Sequence, residues 1–412
     1  MKYFYLIFSC LIFIYSGCSK EEEASGSPTT PGGDTTHYVI KPQHDIPWAT
    51  LAQTSWSKPL HDAQCTGRSP FKGPAVGRVK LEVPLDENTT DAVIGSDSVF
   101  YIASDSNFYA ITLNGTILWK VFIDLNLPNN NSPIVNAGGV IYIGVHDGLS
   151  AFSYDGTLLW HTKLDGQVLL KSNAIDLKGN IYTITNSGTL YSIDPSGQIL
   201  WQRRAPLGSF AWGDAETISF APDGSRFYVG GSTADQSLYT FNTNGDIIFI
   251  DSLGGSQQGA ISIDVDGNVY SYFGNDLFSI SSSGKVRWKI ANAGANWNVT
   301  IDPNGNIAFL SYGNLISLDN AGQKRWSVPI NHGDYMTHLV CDAEGTIFIE
   351  TSAFAGSSSY DVQAVSNSGK ILWTLNLGSY VKEAGPSLTR EGYLLFPHSN
   401  YYPGTKHMYI IE

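Results

Sequence analysis

Cysteine is scarce in this chain, four in 412 residues, and no two of them stand side by side or as C-x-x-C. That excludes a disulfide scaffold and the zinc and redox motifs that need paired thiols. Charge is thin too: 15% of residues are charged, and the 24 basic ones are outnumbered by 37 acidic ones. An acidic surface argues against nucleic acid and anionic lipid headgroups as partners. The chain has no G-x-x-x-x-G-K-[ST], no G-x-S-x-G and no H-E-x-x-H, so phosphate-loop, nucleophile-elbow and zinc-peptidase chemistry have no foothold. No long helical period appears beyond the first 17 residues. What remains is rich in Gly (42) and Tyr (22) and 42% hydrophobic, a composition that suits a large β protein with many turns.

The one long apolar run is at the start. Met1-Lys2 followed by YFYLIFSCLIFIY has the length of a secretory leader, and Ser16-Gly17-Cys18 resembles a bacterial lipobox, with Tyr15 in place of the favoured Leu. Residues 1–17 are therefore expected to be removed and Cys18 to carry lipid. An ordinary secretory signal and a membrane helix are the competing readings. Residues 18–37, SKEEEASGSPTTPGGDTT and its flanks, read as a flexible tether that holds a folded body clear of a bilayer. The acidic run Lys20-Glu21-Glu22-Glu23 resembles a surface-export signal, or it is simply a solvated linker. Loss of Lys2 leaves 23 basic against 37 acidic residues, a net of −14.

The rest of the chain repeats a phrase. A turn glycine and an aromatic four places on recur as Gly115/Trp119, Gly156/Trp160, Gly197/Trp201, Gly245/Phe249, Gly284/Trp288, Gly322/Trp326 and Gly369/Trp373, at intervals of 41, 41, 48, 39, 38 and 47 residues. Nine places before each aromatic stands a small residue: Ala110, Ala151, Ser192, Thr240, Ser279, Ser317 and Ala364. Upstream in each unit a second Gly-centred hairpin shows apolar alternation, as in AIDLKGNIYTIT (174–185) and VTIDPNGNIAFLS (299–311). Two hairpins per repeat of about 40 residues predict a β-propeller. The aromatic belongs to the outermost strand, where the gap between blades is widest. Burying a Trp removes about 150–250 Å² from water, roughly 4–6 kcal/mol at about 25 cal/mol/Å².

The ends set the blade number. KHMYIIE (406–412) matches a third strand with no fourth to follow, and Gly77-Arg78-Val79-Lys80-Leu81 copies the turn-and-strand phrase with Leu81 at the aromatic position. Pairing the two closes a ring and removes a free sheet edge. The expectation is an all-β, eight-bladed propeller over residues 76–412, with residues 38–75 as an N-terminal extension and Leu81, Trp119, Trp160, Trp201, Phe249, Trp288, Trp326 and Trp373 docking between blades.

The A-x-x-x-x-G-x-x-x-W spacing resembles the repeat of pyrroloquinoline-quinone (PQQ) propellers. His61-Asp62-Ala63-Gln64-Cys65-Thr66-Gly67-Arg68-Ser69-Pro70 is similar to the segment that opens PQQ-like repeat proteins, with Cys65 where His is common. The resemblance spans about residues 56–412 and implies the fold far more firmly than a function. Its family includes quinoprotein dehydrogenases and BamB-type assembly lipoproteins, both eight-bladed. The dehydrogenases hold quinone against two adjacent cysteines above calcium; this chain has no such pair, so neither PQQ nor any other cofactor is expected, and no enzymatic activity. Asp264-Val265-Asp266-Gly267-Asn268 is loosely like a calcium loop but lacks the later ligands. Asp214 and Glu216 are close enough for acid–base work, as chance also provides among 37 acids. No metal site is predicted. Cys65 and Cys341 could bridge in an oxidising compartment, but Cys341 sits where sister repeats place Ile175, Ile263 and Ile301, which points to a buried thiol.

The connectors between blades vary while the turns repeat: RRAPLGSFAWGDAE (203–216), ANAGANWN (291–298), INHGDYMTH (330–338) and LGSYVKEAG (377–385). They gather Trp212, Trp297, His332, Tyr335, His338 and Tyr380 near one channel mouth, as a candidate ligand-binding face for a protein or glycan. Packing or plugging of the channel is the plainer role. The expected protein is a monomeric, lipid-anchored, non-enzymatic binding scaffold of the outer membrane, exposed on the cell surface. The alternative is a BamB-type assembly factor facing the periplasm; a quinone- or carbohydrate-active enzyme is the third.

Overall fold

The computed structural model describes residues 41–412 apart from 86–88, 96–98, 105, 124–130, 170, 205–216, 232–235, 256, 295–297, 331–337, 353–359, 379–383 and 399–405. The leader, Cys18 and the tether lie outside the described residues.

Eight four-stranded antiparallel sheets make up the fold, each a meander from an inner to an outer strand. Seven are consecutive in sequence, beginning with blade 1 at Val93–Phe122 and ending with blade 7 at Leu339–Asn376. The eighth joins Ser387–Leu388, Leu394–His398 and Lys406–Ile411 to the N-terminal strand β1, Val79–Leu85. There Val79 pairs with Ile411 and Leu81 with Ile410, and Arg78 and Glu412 exchange two backbone hydrogen bonds of 2.9 Å. The ring is closed as the two orphan ends require.

The turns explain why each hairpin forms where it does. In D-x-x-G-N turns such as Asp176–Asn180, the Asp176 carboxylate accepts the backbone N–H of Lys178 (2.8 Å) and of Asn180 (2.9 Å), while its carbonyl accepts from Gly179. Gly179 sits at φ +89°, where a side chain would be strained. The same carboxylate pattern recurs at Asp264, Asp302 and Asp342.

Burial falls outward along each blade. In blade 2 the middle strands, Ile141–Val145 and Gly148–Phe152, are buried throughout because sheets cover both faces, whereas the outer strand Leu158–Lys163 has no buried residue. The small residues face their aromatics across the third and fourth strands: Ala110 with Trp119, Ser192 with Trp201, Ala364 with Trp373.

Each aromatic also reaches the following blade. A methyl on Gly156 would lie 2.8 Å from the ring of Trp119, and the same holds for Gly197 with Trp160 (2.7 Å) and Gly77 with Trp373 (2.3 Å). Trp119 Nε1 donates to the Tyr154 carbonyl (2.8 Å), Trp288 to Asn320 (3.0 Å) and Trp326 to Asn367 (2.8 Å). The turn glycine thus serves its own turn and vacates the space that the preceding indole fills. The depth of docking varies: Trp288 is 1% exposed, whereas Leu81, Trp119, Trp160, Trp201, Phe249, Trp326 and Trp373 are half-buried. They stand at the circumference, where one ring edge meets solvent. The seam of Trp288 is sealed further by Arg287, which donates to Tyr270, Ser279 and Asn320; in five other blades that position is an exposed Leu or Ile.

Candidate functional site

The axis of a propeller is where a ligand would enter, and here the protein fills it from both ends. At the mouth where inner strands begin, residues three places before the common Ile position form a polar belt: Asp91, Ser132, Ser172, Thr217, Asn298 and His338, all buried. They tie neighbouring blades together. Asp91 N donates to Ser132 Oγ (3.2 Å), Ile261 N to Thr217 Oγ1 (3.0 Å), and Asn298 exchanges two hydrogen bonds of 2.9 Å with the backbone of Leu339.

One side chain crosses this belt. Lys171, from blade 3, reaches Asp91 Oδ2 of blade 1 at 3.1 Å and His338 Nε2 of blade 7, opposite it in a ring of eight. Lys171 and Asp91 are each 4% exposed. Asp91 also accepts from Gly385 N of blade 8. Burial, reinforced by the adjacent ammonium, holds the imidazole of His338 well below its ordinary 6.5, so the ring is neutral and accepts from Lys171.

The opposite mouth is stoppered by the segment before β1. Its backbone takes up the hydrogen bonds of the inner strands blade by blade. Ile94 N donates to Trp56 O (2.7 Å), Val135 N to Ser57 O (2.9 Å), Phe220 N to Ala63 O (2.9 Å), Ile263 N to Gln64 O (2.9 Å), Ile301 N to Thr66 O (3.2 Å) and Cys341 N to Gly67 O (2.7 Å). Trp48 Nε1 adds blade 3 through Ile175 O (2.7 Å). The span set apart as an extension is therefore, from Trp48 onward, a strap hydrogen-bonded to seven blades.

Of the predicted ligand-binding face, Trp212, Trp297, His332, Tyr335 and Tyr380 lie outside the described residues. His338 is corrected: it is 3% exposed and faces the axis, committed to Lys171 rather than to a surface ligand. Asp214 and Glu216 also lie outside the described residues. The Asp264 carboxylate is spent inside its turn and on Tyr270 (2.9 Å) and Asn268 (2.8 Å). Cys65 and Cys341 are both buried and free, which removes the bridge; burial, with Asp302 and Asp342 nearby, pushes the Cys341 thiol well up.

Two features escaped the sequence reading. Asp45, His61 and Asp62 bring three possible cation ligands within 4.8 Å of one another. Arg68 already stands 3.6 Å from Asp45, and Asp62 accepts from Thr66 N (2.9 Å) and Thr66 Oγ1 (2.6 Å). Burial works against the Asp62 carboxylate, yet His61, Arg68 and Thr66 hold its pKa below the ordinary value. Beside the strap, an open cleft of about 680 Å³ is lined by Gln53, Thr54, Asn136, Tyr154, Arg390 and Glu391, with Tyr154 70% exposed.

A family model described as outer membrane protein assembly factor BamB matches residues 69–209. BamB from Moraxella catarrhalis superposes with a TM-score of 0.63 at 19% identity, over 81% of this chain and 98% of that one. The C-terminal WD40 domain of Sif2 superposes at 0.64 and 9% identity, over 83% and 99%. Virginiamycin B lyase from Staphylococcus aureus gives 0.50 at 15% identity, over 65% and 94%. No curated protein sequence matches the chain significantly. Its eight four-stranded blades make the chain a β-propeller, similar over residues 69–209 to the family whose model matches there.

Proposed function

We propose that the chain is a lipid-anchored, non-enzymatic scaffold of the outer membrane that binds a protein partner on the outside of its ring, as an assembly factor does. The observation that carries this is the filled axis: Lys171 bars one mouth and the Trp48–Phe71 strap the other, so binding falls to loops, seams and rim. The family match supports the assembly-factor character and a periplasm-facing orientation. A lyase superposes on about two thirds of this chain at low identity, so the fold alone assigns no chemistry. The partner-binding face is the set of connectors bearing Trp212, Trp297, His332, Tyr335 and Tyr380.

The test is made in intact cells. The wild type fractionates with the outer membrane and Cys18→Ala becomes soluble. A photo-crosslinking residue at position 212 or 297 yields one discrete adduct with an outer-membrane protein, and Trp212→Ala combined with Trp297→Ala weakens it. Uniform, diffuse adducts at these positions and at a rim control would defeat the reading. Protease shaving fixes orientation: survival in intact cells means a periplasmic face, cleavage a surface one. A glycan ligand is the second reading, favoured by the open cleft beside Tyr154. Loss of glycan-array binding in Tyr154→Ala would support it.

A further inference from the structure

Lys58 is buried, 1% exposed, and among the described residues no carboxylate pairs with it. Among the described residues its Nζ meets the Pro59 carbonyl at 3.0 Å and Cys65 Sγ at 3.0 Å. Leaving an unpaired ammonium in a protein interior costs several kcal/mol, so this amine needs either an anionic partner or a means of losing its charge. Cys65 is fully buried and held at φ +54°, and Leu60 and His61 between the two also have positive φ, +60° and +78°. Three such residues mark a costly backbone path. It lies in the strap between its contact with blade 2 at Ser57 and its contact with blade 6 at Thr66, opposite blades in a ring of eight. Cys341 offers the internal contrast: equally buried, its thiol has the Asp342 carbonyl, at 3.4 Å, as its hydrogen-bond partner among the described residues.

We propose that Lys58 and Cys65 form an oxidative crosslink, a single oxygen atom bridging Nζ and Sγ, which staples the strap across the axis. The neutral amine and thiol react with dioxygen. The S–H bond and one N–H bond break, S–O and O–N bonds form, and the second oxygen atom leaves as water with those two hydrogens. Sulfur and nitrogen each give up two electrons, and dioxygen takes all four. An S–O–N bridge spans slightly less than the existing contact, so little movement is needed, and the product carries no charge to bury. Dioxygen is small and apolar enough to reach a site closed to larger oxidants.

Mass spectrometry of the full mature chain decides it. The chain is purified in air, denatured without reductant, alkylated and cut with trypsin. Lys58 precedes Pro59 and resists cleavage, so both residues stay in one peptide ending at Arg68. That peptide is expected with one oxygen more and two hydrogens fewer than the reduced form, and Cys65 unalkylated. Excess dithiothreitol should restore the free pair, and Cys341 should be alkylated throughout. Lys58→Arg keeps the charge but should leave Cys65 alkylated. Three outcomes overturn the proposal: full alkylation of wild-type Cys65 after incubation in oxygen-saturated buffer, an added oxygen without loss of two hydrogens, or a disulfide to Cys341. Because the wild type alone is decisive, a variant that fails to fold does not rescue it.

Discussion

The circumference and the axis of this ring are held by different devices. At the circumference one contact is copied from seam to seam: a docking side chain lies against the next blade's turn glycine, and in six seams it is a Trp that donates to that turn's carbonyl. Each copy joins two blades and shares no partner with the next, so losses there should add, as in other repeat architectures. At the axis the strap's backbone contacts recur, but the side-chain crossing is made once among the described residues: Lys171 joins blade 3 to residues of blades 1 and 7, in a place closed to water. Periodic contacts set how far apart blades sit; the unique ones bind the sectors into one closed body.

The largest effect should therefore come from the axis. Lys171→Met leaves the buried Asp91 carboxylate uncompensated and is expected to cost about 3–5 kcal/mol, the usual result of removing one member of a buried ion pair. Chemical unfolding measures it, and adding Asp91→Asn should recover much of the loss. A cost under about 1 kcal/mol would reduce the axis to one more seam.

At the circumference the seams can be ranked. Trp288→Ala should cost about 3–5 kcal/mol, as for a buried large-to-small change. Trp201→Ala removes a ring that is already half in water and should cost less, about 2–3 kcal/mol on the same footing. Equal losses would mean that Arg287 adds nothing to its seam. The glycines separate turn from docking. Gly139 and Gly156 both have positive φ (+78° and +85°), but a methyl on Gly139 meets nothing within 4 Å, and one on Gly156 meets Trp119. Ala at either should cost about 1–2 kcal/mol in backbone strain. Gly156→Ala should add about 1–3 kcal/mol of overpacking, and indistinguishable midpoints would show that the indole simply moves aside.

How much of this could be read beforehand follows the same division. Glycine, aromatic and small residue repeat at fixed offsets, so the blades, their number and the closing strand were legible from Gly115 to Trp373 and at Val79–Leu81. What periodicity hid was which glycine meets which indole. A pairing within a repeat and a pairing to the next one recur with the same period, and only the structure separates them. The axis was opaque for the opposite reason: its residues do not repeat. The available signal was a break in a register. Lys171 stands where other blades have Thr90, Asn131 and Ala384, and an ionisable residue four places before a buried Ile asks for a partner. His338 gave a similar sign against Ser132, Ser172 and Thr217, yet was read with its connector as surface. The HDAQCTGRSP segment was legible as a resemblance only. Its work is done by backbone groups, which any sequence supplies.

His338 yields the smallest effect and the sharpest test of where the axis ends. Its folded pKa lies well below the unfolded value of 6.5. A base depressed in this way binds its proton more readily in the unfolded chain. Stability is therefore unaffected well above pH 6.5, and it falls below that pH by about 1.4 kcal/mol per unit for the one proton. Carboxylates act in the same scan: Asp342, raised chiefly by burial, resists acid, while Asp62 is lowered and yields to it. The comparison must then be wild type against His338→Asn, through pH 7.5 to 5. The variant should lose the component of slope that begins near 6.5 and keep the rest. Parallel curves would mean that the imidazole meets water in the folded ring, and that Lys171 closes a mouth narrower than the one His338 occupies.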